Sequence, residues 1–148
     1  MTDPAPRRAA TRKADVLARL TTDIDAWVST ASPDGTPCLV PLSFLWTGET
    51  LIVSTASRNP TSLNLQTNPQ VHLAIGHTRD VVLITGTAAP FTPTSTQAEA
   101  FATKTGFDPS SLKASYPYFG ITPTRIQAWR EANELAGRDL MTEGTWLI

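Results

Sequence analysis

The sequence predicts a mainly β protein with short helices, a small Greek-key barrel of about six antiparallel strands. Two observations carry this. From about residue 26 most apolar runs are short, β-rich and of period two, and turn-forming residues such as Ser32-Pro-Asp-Gly-Thr36 and Thr47-Gly-Glu-Thr50 separate them. Helical periodicity is confined to a few short stretches.

Taken in order, Val16, Leu17, Leu20 and Ile24 recur at helical spacing, which predicts an amphipathic helix from Ala10 to about Asp25. The runs AWVSTA (26–31) and PCLVPLSFLW (37–46) flank the Pro-Asp-Gly turn, and LIVSTA (51–56) follows TGET. Three successive strands with tight turns predict an antiparallel meander. Pro41 falls inside the second strand, where proline is tolerated only at an edge or a bulge. A short helix is expected at about residues 60–67, with Asn59 as cap, Pro60 at its first position and Pro69 as stop. QVHLAIG and VVLITGTA are strands around the turn GHTRD, and residues 94–105 form a helix opened by a Thr or Ser cap. Residues 107–120 read as irregular, ITPTRIQAW as the sixth strand, and DLMTEGTWLI as a hairpin turning at Glu143-Gly144.

At 148 residues, with 41% hydrophobic and 17% charged residues, the chain fits one soluble domain. Residues 1–13, with Arg7, Arg8, Arg12, Lys13 and two prolines, read as a mobile basic arm ahead of a single domain at 14–148. A net charge of −1 gives no general pull toward nucleic acid or an acidic membrane. No apolar run has the length of a membrane span and none follows the arginines as a signal peptide would. A single cysteine, Cys38, excludes an internal disulfide and fits the cytoplasm.

The familiar catalytic and nucleotide motifs are absent, GxGxxG, GxxxxGK[ST], HExxH, CxxC and GxSxG among them. His72, on a strand, and His77, at a turn, make a poor metal pair and read as exposed residues. Cys38 reads as a half-buried strand cysteine. The turn after the third strand is richer. A helix N-terminus offers unpaired amides and the positive end of a dipole, and here it is ringed by Ser57, Arg58, Thr61 and Ser62, with Ser54 and Thr55 ending the strand before it. These groups suit a phosphate; they also suit an ordinary helix cap.

The order of pieces resembles the pyridoxamine 5'-phosphate oxidase-like split-barrel family over about residues 24–148. The pieces are PCLVPLSFLW, LIVSTA, the Ser/Arg/Thr turn, L..NPQV, TRDVVLITG, then PTRIQAW and an arginine before DLM. The resemblance implies a six-stranded split barrel and a homodimer with two flavin sites across its interface. It implies a phosphate cradle at Ser54, Thr55, Ser57, Arg58 and Thr61, and ring contacts from the backbone of Val40, Pro41 and Leu42. It places Asp80 toward the flavin, and Trp129 and Arg138 reaching over from the second subunit. By their chemistry alone, Trp129 also fits core or interface packing, and Asp80 also fits a partner in Arg79 or a backbone amide. Tyr116, Tyr118 and Phe119 read as packing before cavity lining, and Trp46 and Trp146 as core or interface.

Departures narrow the expectation. The family often has lysine where this chain has Thr61, leaving the charge to Arg58. The vitamin oxidases carry arginine and lysine where this chain has Val40 and Leu45, and an Arg-x-His segment where it has REANELAGR. The resemblance therefore implies an FMN-dependent oxidoreductase acting on a small conjugated or aromatic molecule, with a nicotinamide nucleotide as a candidate reductant, rather than the vitamin oxidase. The alternatives are an 8-hydroxy-5-deazaflavin coenzyme in the same fold, or a non-catalytic flavin carrier or sensor. Haem chemistry, known among relatives, lacks an evident axial histidine.

Overall fold

A computed structural model of the chain describes residues 4–148. It opens with helix α1 (Ala9–Thr22), whose buried stripe is Arg12, Val16 and Leu20. Strands β1 (Asp25–Ala31) and β2 (Pro37–Ser43) form a hairpin in which Ala26, Val28 and Thr30 point inward. After β3 (Leu45–Trp46) and the fully buried β4 (Leu51–Ser54) comes helix α2 (Pro60–Thr67), with the limits its prolines predict. Strands β5 (Gln70–Ile75) and β6 (Val81–Phe91), helix α3 (Ser95–Thr105), β7 (Tyr118–Trp129), β8 (Asp139–Thr142) and β9 (Thr145–Trp146) complete the chain.

All strands join one antiparallel sheet in the order β2-β1-β5-β6-β7-β4-β3, with β8 against β7 and β9 against β8. It curls into a half-barrel around Val28, Phe44, Leu51, Val53, Leu73, Ile84, Ile121 and Ile126. β4 lies beside β7 across the sheet from β5, the Greek-key connection expected.

Two expectations change. Among the described residues the sheet has nine strands, against about six: the run 37–46 breaks at Phe44, and the terminal hairpin, expected apart from the six, adds two. Phe44 N–H to Ile24 O, at 2.9 Å, carries the β1–β2 pairing one step past Ser43, and the Phe44 side chain is fully buried; Leu45 and Trp46 then leave β1 and pair with β4. The meander holds in part: β2 pairs with β1, and the end of the run 37–46, as β3, pairs with β4 through Leu45↔Ile52 and Trp46↔Leu51. β4 pairs with β7 from Leu51↔Ile121 to Ser54↔Tyr118, not with β2. Pro41 sits where expected, on an edge strand.

β6 and β7 shift register between Thr85 and Gly86, leaving Thr124 as the extra residue of a bulge; its hydroxyl donates to Thr85 O at 3.1 Å. The β8–β9 turn, with Glu143 at φ 50° and Gly144 at φ 75°, closes as predicted and is tied to the bulge by Gly144 N–H to Thr124 O at 2.8 Å. α3 carries a full capping box between Thr94 and Gln97. Among the described residues no helix is long and apolar enough to cross a membrane.

The basic arm also differs from expectation. Residues 1–3 lie outside the described residues. From Arg7 onward the chain is bound to the domain: Arg7 donates to both carboxylate oxygens of Glu134 at 2.8 and 3.0 Å, and Arg12 is 3% exposed. Helix α1 places Arg12 on the same stripe as Val16 and Leu20, so it enters the interior with them.

Candidate cofactor site

The β4–α2 turn is built from its hydroxyls. Ser54 Oγ donates to Tyr116 O at 3.2 Å and Pro117 O at 2.9 Å, fastening the start of β7 to the end of β4. Ser57 N–H donates to Ser115 O at 2.9 Å, and Ser62 Oγ to Thr55 O at 3.3 Å. Ser54, Thr55, Thr61 and Ser62 are buried, Ser57 is half-buried and Arg58 is exposed.

The helix start is uncapped. Asn59 occupies the cap position, but its side-chain amide donates to Thr55 Oγ1 at 2.9 Å instead of accepting from the first turn. Pro60 has no N–H, and Leu63 N–H reaches Asn59 O at 3.1 Å. Among the described residues the amides of Thr61 and Ser62 have no hydrogen-bond acceptor. Arg58 beside them has no carboxylate within ion-pair distance in the same set. An open cleft of ≈ 430 Å³ lies between Ala56, Ser57 and Arg58 on one side and Ala114 and Ser115 on the other. That is within the usual range of small-molecule sites, about 300–1,000 Å³. Two amides without acceptors, a guanidinium without a carboxylate partner and a hydroxyl, all between residues 57 and 62, are donors of the kind that hold a phosphate; of these, Ser57 and Arg58 line the cleft.

β2 borders this turn. Cys38 Sγ lies 3.8 Å from Thr61 Oγ1, and Cys38, Val40 and Leu42 share the half-buried side of the strand, while Leu39 and Pro41 face outward. As a sheet edge, β2 leaves one side of its backbone without a strand partner. Val40, Pro41 and Leu42 thus lie on the strand that passes the cradle. Cys38 is free and half-buried, and His72 and His77 are exposed, as read from the sequence.

Asp80, Trp129 and Arg138 gather elsewhere, at the opposite end of β6 and β7. Trp129 pairs with Val81, while Tyr118 at the other end of β7 pairs with Ser54 of the cradle. Eleven residue steps of strand separate these ends, about 36 Å along the chain. Within one chain Asp80, Trp129 and Arg138 are not part of the cradle. Asp80 is instead an ion-pair hub: its Oδ1 lies 3.5 Å from Arg19 Nη1, 3.5 Å from Arg130 Nε and 4.0 Å from Arg7 Nη2. Arg79, considered as its partner, forms a two-pronged pair with Glu131 at 2.8 and 2.9 Å. Trp129 and Arg138 are half-buried, and Arg138 Nη1 donates to Leu135 O at 3.1 Å. Tyr118 and Tyr116 pack edge-on against Phe101 and Phe107, and Trp46 and Trp146 pack against the core.

Sequence reasoning missed the lattice of charges behind this second group. Glu134, 2% exposed, accepts from Arg7 and from Arg130 N–H, and Arg7's hydrogen bonds, with these, hold its carboxyl down to about 2. The same contacts push the Arg7 guanidinium up. The signal for Arg12 was present, because residues 12, 16 and 20 fall on one helical stripe. For Glu134 and for the Ala114–Ser115 wall of the cleft no local pattern pointed to the site.

Comparison with known proteins places this architecture. No curated protein matches the chain. Solved structures with the same fold include a FAD-binding protein from Mesorhizobium loti (16% identity, TM-score 0.63, covering 77% of this chain and 89% of that one). Others are an F420 reductase (21%, 0.60, 74% and 93%) and the heme storage protein HutZ from Vibrio cholerae (15%, 0.61, 76% and 89%). A sequence model of the family described as pyridoxamine 5'-phosphate oxidase matches residues 14–130, and the chain belongs to that split-barrel family.

Proposed function

We propose that this protein is an FMN-dependent oxidoreductase, working as a homodimer on a small conjugated or aromatic molecule. The observation that carries the reading is the uncapped start of α2: Asn59 turned away, the Thr61 and Ser62 amides without acceptors, and Arg58 unpaired beside them. A helix end of this kind wants an anion, and a flavin mononucleotide brings one. When bound, the flavin supplies hydride or electron transfer at its ring.

The chain's own residues would do the rest. Arg58 and Ser57 would hold the phosphate and fix the tail, and the edge of β2 at Val40, Pro41 and Leu42 would flank the ring. Trp129 ends β7 and Arg138 lies just before β8, both at the end of the sheet away from the same chain's cradle, so their contribution needs a second copy. The outward sheet face supports such pairing: Trp27 is 51% and Leu39 62% exposed, beside Pro41, Ala74 and Leu83 on neighbouring strands. No protein base is demanded, since positioning and exclusion of water suffice for transfer at a flavin.

The test is the absorbance spectrum of the purified protein, followed by titration of stripped protein with FMN, the deazaflavin coenzyme and haem. Saturation by FMN at about one per chain supports the reading. Preference for the deazaflavin coenzyme keeps the fold and replaces the cofactor. Binding of haem alone, or a bound flavin that is never turned over by nicotinamide nucleotides or candidate substrates, contradicts the oxidoreductase.

A further inference from the structure

Arg12 is a buried cation whose hydrogen bonds all go to backbone. Its Nη1 donates to Ala128 O and Glu134 O, both at 3.0 Å, and to Gly137 O at 3.2 Å, and Nη2 reaches Arg7 O at 3.3 Å. Ala128 immediately precedes Trp129, and Gly137 immediately precedes Arg138. One guanidinium therefore grips the chain just before each of the two residues assigned to the cofactor, and again between them. Ala128 N–H to Arg138 O, at 3.0 Å, holds the same two points side by side.

Around this grip lies a lock. Glu134 Oε2 stands 4.0 Å from Arg12 Nη2 and accepts from Arg7 N at 2.8 Å and Arg7 Nε at 3.0 Å. Its other oxygen accepts from Arg7 Nη2 and Arg130 N, both at 2.8 Å. Gluing α1 to the sheet does not require this, because Val16 and Leu20 already bury fully in the core. A buried ion pair adds little net stability, because the cost of desolvating the charges offsets their attraction. What the charges add here is a defined place for a loop of nine residues, 130–138, that has no strand of its own.

We propose that Arg12 is a positioning residue for the cofactor-facing pair Trp129 and Arg138, with Arg7 and Glu134 as its lock. The proposal rests on the flavin reading above. It assigns to the N-terminal segment a part in cofactor binding without touching the cofactor, and in a dimer the part is played for the partner's cradle.

The experiment compares wild type with Arg12→Lys and Arg7→Gln by FMN titration, at a temperature well below each protein's melting point. Lysine keeps the charge and loses the planar fork. In Arg12→Lys the Kd for FMN rises by about tenfold or more, as displaced positioning groups do. Arg7→Gln, which leaves Arg12 in place but takes the main partner from buried Glu134, gives a smaller rise, read in protein whose cooperative melt shows it folded at the titration temperature. Arg138→Ala then weakens binding less in the Arg12→Lys background than in wild type, a coupling that mere loss of stability does not produce. Amide exchange of residues 130–138 in cofactor-free protein is faster in both variants. Unchanged Kd in both variants, or an undiminished effect of Arg138→Ala, makes the charges structural glue and overturns the proposal while the flavin reading stands. A wild type that binds neither FMN nor the deazaflavin coenzyme removes both together.

Discussion

Arg58 is exposed and has no carboxylate partner among the described residues, so replacing it disturbs little except a bound anion. Arg58→Ala is expected to weaken FMN binding by about 1.5–3 kcal/mol, the range of hydrogen bonds to charged groups, with an unchanged melting temperature. Calorimetric titration decides it, and unchanged affinity removes Arg58 from the site. Glu134 gives a pH signature. Its folded carboxyl is held at about 2, below the value of 4.5 taken for the free group. Its contribution to stability is therefore complete above that higher value and is lost as pH falls from there toward 2. Denaturant melts from pH 6 to pH 3 should show a loss in wild type that is smaller in Glu134→Gln, whose side chain does not titrate. Parallel losses in the two proteins would remove Glu134 as a source of acid sensitivity.

Among the elements, the β6–β7 bulge is a place where a side chain would meet the neighbouring backbone. A Cβ on Gly86 would stand 2.8 Å from Ile121 Cγ2 and 2.9 Å from the Thr122 carbonyl oxygen, and the latter is backbone. Gly86→Ala is expected to destabilise by about 1–3 kcal/mol, as overpacking does, measured by urea unfolding. A neutral effect would mean that the two strands part freely at the bulge. The elements also show what a sequence reveals. Local signals held: the prolines around α2, the Thr94 cap of α3, the Glu143-Gly144 turn and the period-two strands all fall where their chemistry puts them. Pairing was less legible, because β4 takes β7, a partner far along the chain, on one side and only the two-residue β3 on the other. For the site, the cradle was legible since its donors are contiguous. The ion lattice was not, since Arg7, Arg12, Asp80 and Glu134 meet only after folding, and a proline- and arginine-rich start looks like an arm until α1 is seen to carry it inward.

At the scale of the molecule, the proposed reading gives one chain two half-sites, the cradle and the Trp129–Arg138 group, and needs a second copy to bring them together. The exposed apolar band on the outward sheet face is the surface we propose for it. Leu39→Asp, at an exposed edge position, should change monomer stability by no more than about 0.5 kcal/mol while shifting the assembly from dimer to monomer and abolishing tight FMN binding. Sedimentation equilibrium checks the first effect and titration the second. A variant that remains dimeric and binds FMN as before would place the contact on another face.

The most direct measurement mixes two defective proteins. Arg58→Ala lacks a working cradle and Arg138→Ala lacks a working far end, and each alone is expected to lose tight FMN binding. If sites form across two chains, subunit exchange in an equal mixture creates mixed dimers with one intact site each, and tight binding returns to about one quarter of the wild-type capacity. If no tight sites reappear although exchange is shown to occur, cradle and far end do not share a cofactor, and the shared-site account of this protein is contradicted.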